Sequence, residues 1–279
     1  MAQADNARDW QNLPIDTPIG FAYYFHVDSN TSLDTNLPIK DANASIDVGL
    51  ARFAYAWTGL GDKVAGIQVL QPYANVDLSL PGTAVDHSRR GWGDTNIVLV
   101  QNIFGGPALT LDQFMRWKPE TFLSAAVWVT APTGSYDANK TVNTGANRWA
   151  VKPELAFGHP FGNSWIEANA WVQWFGNNDE YLGHQTLKQD PKIGLEGHYS
   201  YSFSQAFWAS VDLYYNHGGQ TKVNNLVQSE GGSTWQGGFG AQLLLSPADA
   251  ISASYTDTLS KPDGGADAKV YMLSYRRIF

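Results

Sequence analysis

Trp165-Ile166-Glu167-Ala168-Asn169-Ala170-Trp171-Val172-Gln173-Trp174-Phe175 decides the fold. Ile166, Ala168, Ala170, Val172 and Trp174 fall on one side of an extended chain, and Glu167, Asn169 and Gln173 fall on the other with Trp165 and Trp171. An apolar side opposed by carboxylate and amide suits a strand whose outer face meets lipid and whose inner face meets water. The same period continues downstream. Ile193, Leu195, Tyr199, Tyr201 and Phe203 oppose Lys192, Glu196, His198, Ser200 and Ser202, and Phe207, Val211, Leu213 and Tyr215 oppose Ser210, Asp212 and Asn216. Trp235, Phe239, Ala241, Leu243 and Leu245 oppose Gln236 and Gln242, and Ile251, Ala253 and Tyr255 oppose Ser252, Ser254 and Thr256. A one-residue slip would turn the polar groups into lipid.

Upstream, Gly20 to Val27, Ser45 to Trp57, Val64 to Leu78, Asp94 to Phe104, Thr121 to Val129 and Arg148 to Gly158 read as strands, and Lys269 to Phe279 as the last. Before Trp92 the phases are ambiguous: Ser45 to Trp57 changes face midway, which predicts a bulge near Gly49. Connections alternate between short ones, such as Ser204-Gln205 and Ser246 to Ala248, and long ones, such as Asp28 to Ala44, Ser79 to Trp92 and Asn177 to Gln189. Gly105 to Glu120 is long for a short side and predicts a helical turn around Leu111 to Trp117. The expected fold is an all-β transmembrane antiparallel up-and-down barrel of about 12 strands in the bacterial outer membrane. It comprises residues 19–279, with both termini periplasmic and residues 1–18 forming a periplasmic or luminal segment. Phe279 on an alternating strand with Tyr271, Leu273 and Tyr275 looks like a signal for the barrel-assembly machinery, from which Arg277 departs.

Composition agrees. The chain carries 11 Trp, 13 Tyr and 13 Phe among 279 residues, with 27 Gly for turns, which suits aromatic belts at two water–lipid boundaries. No stretch approaches the roughly 18 apolar residues of a membrane helix, so a closed barrel is the other way to satisfy the backbone in lipid. A net charge of -8 argues against nucleic acid as a partner. Cysteine is absent, which removes disulfides and thiol chemistry. The Met1 to Asp5 start lacks the basic and apolar regions of a secretion signal, so we expect a mature form whose signal has been removed.

The alternation directs Lys152, Glu154, Glu167, Lys192, Glu196, His198, Asp212 and Arg276 into the lumen, together with Trp165, Trp171, Trp208 and Tyr214. Ionisable groups at membrane depth persist when they face water or one another. Two readings stay open: a charged constriction that sorts solutes, or a paired network that fills the lumen. Pro72 and Pro153 interrupt strands and each removes a ladder donor, which implies a wall bulge or a lateral opening. The six histidines show no metal spacing, so neither metal nor cofactor is expected. Asp86-His87-Ser88 is the nearest approach to hydrolytic chemistry, but adjacent loop residues do not make a nucleophile, base and orienter.

Arg8-Asp9-Trp10, Asn12-Leu13-Pro14 and Gly20-Phe21-Ala22-Tyr23-Tyr24 open the chain. Ala131-Pro132-Thr133-Gly134-Ser135-Tyr136-Asp137 leads through Gly145-Ala146-Asn147-Arg148-Trp149 to Lys152-Pro153-Glu154-Leu155. With the strand rhythm, these stretches resemble the outer-membrane channels named for the meta-pathway of phenol degradation. The resemblance implies a monomeric, non-enzymatic barrel for uptake of small hydrophobic, aromatic or amphipathic solutes, and marks Arg148, Lys152, Pro153 and Glu154 as motif positions. The alternatives are an outer-membrane lipid hydrolase, whose serine-histidine signature is missing, and a plugged structural barrel. Outer-membrane lipids are the other expected partner. A plugging role is also expected for residues 1–18.

Overall fold

The computed structural model describes residues 5–30, 43–79, 86–263 and 265–279. In chain order its strands are β1 (Ile19–Ser29), β2 (Asn43–Thr58), β3 (Val64–Ser79), β4 (Asp86–Trp92), β5 (Thr95–Phe104), β6 (Phe122–Ala131), β7 (Ala150–Phe161), β8 (Ser164–Phe175) and β9 (Asn178–Tyr181). There follow β10 (Gln185–Gln189), β11 (Lys192–Ser202), β12 (Phe207–Gly218), β13 (Thr221–Val223), β14 (Leu226–Ser229), β15 (Gly232–Leu244), β16 (Asp249–Ser260) and β17 (Ala268–Ile278).

Thirteen of these form one antiparallel sheet, which closes because β1 pairs with β2 on one side and β17 on the other. β4 and β5 lie end to end along β3 and share one place in the wall, so the barrel has twelve positions. The even number brings the start of β1 and the end of β17 to one rim, where the Phe279 amide donates to the Pro18 carbonyl at 3.0 Å. That rim also carries the short turns from β7 to β8, β11 to β12 and β15 to β16. Apart from the link between β5 and β6, the long connections lie at the opposite rim, and two of them supply β9, β10, β13 and β14, a separate small sheet. The link between β5 and β6 contains α1 (Leu111–Phe114), begun by a capping box of Thr110 and Gln113.

The outer surface is apolar. Leu99, Val127, Leu155, Leu195, Leu213 and Leu273 are exposed mid-wall, with Phe161, Phe203, Phe207 and Phe279 towards the short-turn rim and Trp92, Trp149, Trp174 and Trp235 towards the other. Two aromatic belts around an aliphatic band are the pattern that lipid selects. Arg277 sits at the short-turn rim, paired with Asp249 at 3.2 Å, so its departure from the terminal apolar pattern lies beyond the aliphatic band.

Two expectations need correction. No bulge occurs near Gly49: β2 pairs without interruption with β1 and β3. Ala44, Ile46, Leu50, Arg52, Ala54 and Ala56 all face inward. The face seemed to change because the luminal side of this strand is apolar in its upper half, where Ser45 and Asp47 look outward above the band. Asp47 there accepts from Tyr24 at 2.6 Å and lies 2.9 Å from His26. The connection Ser79 to Trp92 is also not wholly a loop, because β4 occupies its second half.

Candidate functional site

Inside the barrel, the residues after Asp5 lie across the lumen and are held by the wall. The Asp5 amide donates to Glu196 at 3.0 Å, and the Asp5 carbonyl accepts from Tyr214 at 3.1 Å. The Arg8 amide donates to Glu167 at 2.9 Å, and its guanidinium donates to Ser200 and Ser202, each at 2.9 Å, while lying over Trp208. Such a segment has no ladder of its own, so side chains of the wall satisfy its backbone. Asp9, outside the strands, has its carboxyl pushed up by burial, against the opposing influence of Arg52.

Alternation on β7, β8, β11 and β12 brings most of the predicted luminal residues into one buried cluster. Lys152 lies 2.8 Å from Glu154, with its ammonium over Trp128 at 4.4 Å and Trp171 at 5.3 Å. Trp171 donates to Glu196 at 2.8 Å; it fits because β11 carries Gly194 opposite, where a Cβ would come within 2.2 Å of the indole. His198 sits 2.7 Å from Asp212 and 3.8 Å from Glu196, and Ser210 donates to Asp212 at 3.0 Å. Glu167 joins through Arg8. Arg148 stands apart, above the cluster, donating to Gln189 at 2.6 Å and lying over Phe175. Arg276 is inward and half-buried at the short-turn rim, remote from the rest.

Sequence reasoning did not single out Asp5, Arg52 or Asp94. Arg52 is buried on β2, donating to Tyr23 at 3.2 Å. Asp5, Glu154 and Glu196 bring carboxylate oxygens within 4.8 Å of one another, the grouping among the described residues with metal-like spacing. Lys152 already supplies a cation to it. Of Asp86-His87-Ser88, the side chains of the first two lie outside the described residues.

Both prolines mark irregular seams. The β3 ladder runs to Leu70 opposite Asn96 and resumes at Tyr73 opposite Trp92, so three residues, Gly93 to Thr95, oppose Gln71 and Pro72. Across β7 and β8, pairing skips from Val151 and Trp174 to Glu154 and Trp171, leaving Lys152 and Pro153 without ladder partners on that side and inserting no extra residue. On the other side, Pro153 stays in register with Val127.

The crossing segment divides the lumen. Above it, towards the long connections, lies a chamber of about 370 Å³. Phe25, Val27, Val48, Leu50, Val270 and Met272 form one wall, Arg148, Gln173, Lys192, Asn216 and Gln236 another, and Asn6, Trp171 and Glu196 contribute to its lining. Pro72, Gly93 and Asp94 border the chamber as well. Below lies a smaller cavity of about 80 Å³ near α1, lined by Trp10, Asn12, Phe114, Trp117 and Trp165 among others.

A family model described as "Putative MetA-pathway of phenol degradation" matches residues 27–271. The crystal structure of an outer membrane channel from Pseudomonas putida F1 superposes with a TM-score of 0.83 at 22% identity, covering 99% of this chain and 100% of that one. The transport unit of the autotransporter AIDA-I from Escherichia coli gives a TM-score of 0.58 at 8% identity, covering 99% and 93%. The beta domain of the Bordetella autotransporter Brka gives 0.55 at 12% identity, covering 95% and 100%. These likenesses concern the barrel fold. No curated protein matches the chain.

Proposed function

The chain belongs to the family described as "Putative MetA-pathway of phenol degradation", and from that membership and the divided lumen we propose that it is a monomeric outer-membrane channel for passive uptake of small hydrophobic, aromatic or amphipathic molecules. The observation that carries this reading is the chamber of about 370 Å³, a volume that suits a small organic molecule, inside a wall whose outer face is apolar. The charged cluster and the crossing segment lie beneath it and set what passes. Catalysis needs a nucleophile and a base in mutual reach, and the luminal cluster pairs its His198 with carboxylates instead.

Reconstituted into liposomes and planar bilayers, the protein is expected to admit a neutral aromatic alcohol faster than a sugar of similar mass. Removing residues 1–14 should raise ion conductance severalfold, because the two cavities then join. Wild-type protein that passes neither ions nor aromatic solutes would sink the reading and leave a plugged structural barrel.

The seam at Pro72 favours a second route, sideways into the bilayer, since it borders the chamber and its ladder is broken there, crossed by the Gly93 amide donating to the Pro72 carbonyl at 2.9 Å and by the Gln71 side chain bonded to Gly93 and Thr95. A Cβ on Gly93 would lie 2.7 Å from the Pro72 ring, so Gly93→Val crowds the seam. It should slow uptake of the aromatic alcohol while sparing ion conductance. Equal slowing of both, or of neither, counts against lateral exit.

A further inference from the structure

We infer that the upper chamber is a binding site for small carboxylates that carry an apolar body, and that Lys192 selects them; this rests on the channel reading for how the ligand arrives and deepens it by naming the ligand's charge.

Most of the charged groups that line the chamber are already engaged. Glu196 accepts from the Asp5 amide and the Trp171 indole and lies beside His198. Asp94 accepts from the backbone amides of Gly134 at 2.9 Å and Ala146 at 2.8 Å. Arg148 is held by Gln189 and lies over Phe175. Lys192 differs. It is the first residue of β11, opposite Gln173 and Gly218, with Ile193 next to it 45% exposed on the outer face, so its own side chain is directed to the lumen and lines the chamber. Among the described residues, no hydrogen bond or ion pair engages its ammonium.

An ammonium recessed beside a low-dielectric wall, with no protein counter-ion, attracts an anion more strongly than a surface lysine does. An organic cation finds the reverse, since the chamber's carboxylates are occupied. Across from Lys192, Phe25, Val27, Val48, Leu50, Val270 and Met272 form a continuous apolar wall of the chamber, packed against one another along β1, β2 and β17. This wall offers an apolar body a dry surface and offers an inorganic anion nothing. The two walls together match a molecule with a carboxylate at one end and a ring or short alkyl chain at the other, and the volume of about 370 Å³ accommodates one such molecule.

The test uses detergent-purified, full-length protein and ligand-observed NMR titration at pH 7.5, with benzoate, benzyl alcohol, benzylammonium and acetate as probes and an unrelated barrel as the micelle blank. Benzoate is expected to bind about tenfold more tightly than each of the others. Lys192→Gln should bring benzoate down to the level of benzyl alcohol, and Lys192→Arg should retain the preference. Benzoate binding that survives Lys192→Gln, or that benzylammonium equals, overturns the proposal, provided the variant keeps the heat-dependent gel shift of a folded barrel. Titration reads occupancy rather than passage. Benzoate binding by a protein that passes nothing in liposomes would therefore overturn the channel and leave the site, whereas aromatic flux through a protein whose titrations show no preference for benzoate would do the opposite.

Discussion

Lys152→Met is expected to release the N-terminal segment: residues 5–13 become cleavable by added protease and ion conductance rises severalfold, while the barrel still folds. Lys152 and Glu154 are a buried pair, their side chains 5% and 0% exposed, beside a point where Asp5, Glu154 and Glu196 already crowd their carboxylates. Removing one partner of a buried pair typically costs about 3–5 kcal/mol, because the remaining charge is left without compensation. Glu154 and Glu196 are fixed on wall strands, so Asp5 is the member that can leave. Its segment is held by a handful of hydrogen bonds to Glu196, Glu167, Ser200, Ser202 and Tyr214, each worth on the order of 1 kcal/mol net and somewhat more to a carboxylate. The penalty and the holding energy are therefore of similar size, and departure relieves the repulsion. Lys152→Met combined with Glu154→Leu removes both charges and should keep the segment in place. Limited proteolysis and bilayer recordings of the two variants decide the matter, and a Lys152→Met protein with wild-type protection and conductance would show that this pair does not hold the segment.

The second half of the wall was legible because period and polarity coincide there. On β8, Ile166 and Trp174 are about half exposed while Glu167, Asn169 and Trp171 are buried, as the alternation requires. On β2 the period is equally regular, but the meaning of polarity changes along the strand: Ile46 and Leu50 build an apolar luminal wall, and Asp47 faces outward beyond the band. Alternation says which residues share a face and not which face meets lipid, so it does not mark Arg52 as luminal. The crossing segment was readable as something outside the strands, yet its contacts were not, since Arg8 meets Glu167 and Ser200 across separations of 159 and 192 residues. Asp94 was hidden for the same reason. Its partners lie 40 and 52 residues onward, in the stretch whose family likeness marks Arg148, Lys152 and Glu154.

Those partners explain why the connection from β6 to β7 carries the family-like pattern. Its two limbs cross at Gly134 and Gly145, each of which would drive a Cβ to within 2.7–2.8 Å of the other's backbone. Glycine is required at that crossing because the backbones touch. The crossed limbs then pack along β4: the Ser135 amide and the Thr144 hydroxyl both donate to the Trp92 carbonyl, at 2.7 and 2.9 Å. β4 pairs with β3 alone, so this connection covers the edge that a further wall strand would otherwise occupy.

Asp94→Ala is accordingly expected to loosen that cover. The carboxylate takes one backbone donor from each limb, Gly134 on Oδ1 and Ala146 on Oδ2. Hydrogen bonds to a charged acceptor contribute about 1.5–3 kcal/mol each, so losing both, with two amides left unpaired, should raise amide exchange at Gly134, Ser135 and Ala146 by at least about a hundredfold. Asp94→Asn keeps an acceptor for one limb only and should fall between. Exchange in β11 and β12, across the barrel, should stay at the wild-type rate, which separates local opening from general destabilisation. Because Thr144, Ala146 and Arg148 line the upper chamber, solute flux measured on the same variant adds the functional half of the test. Faster exchange with faster flux would make the clamp part of the permeation path; faster exchange with unchanged flux would make the pattern architectural, a means of sealing one irregular seam. Exchange that remains at the wild-type rate would mean that the crossed glycines hold the limbs without Asp94, and the clamp assigned to its carboxylate would be withdrawn.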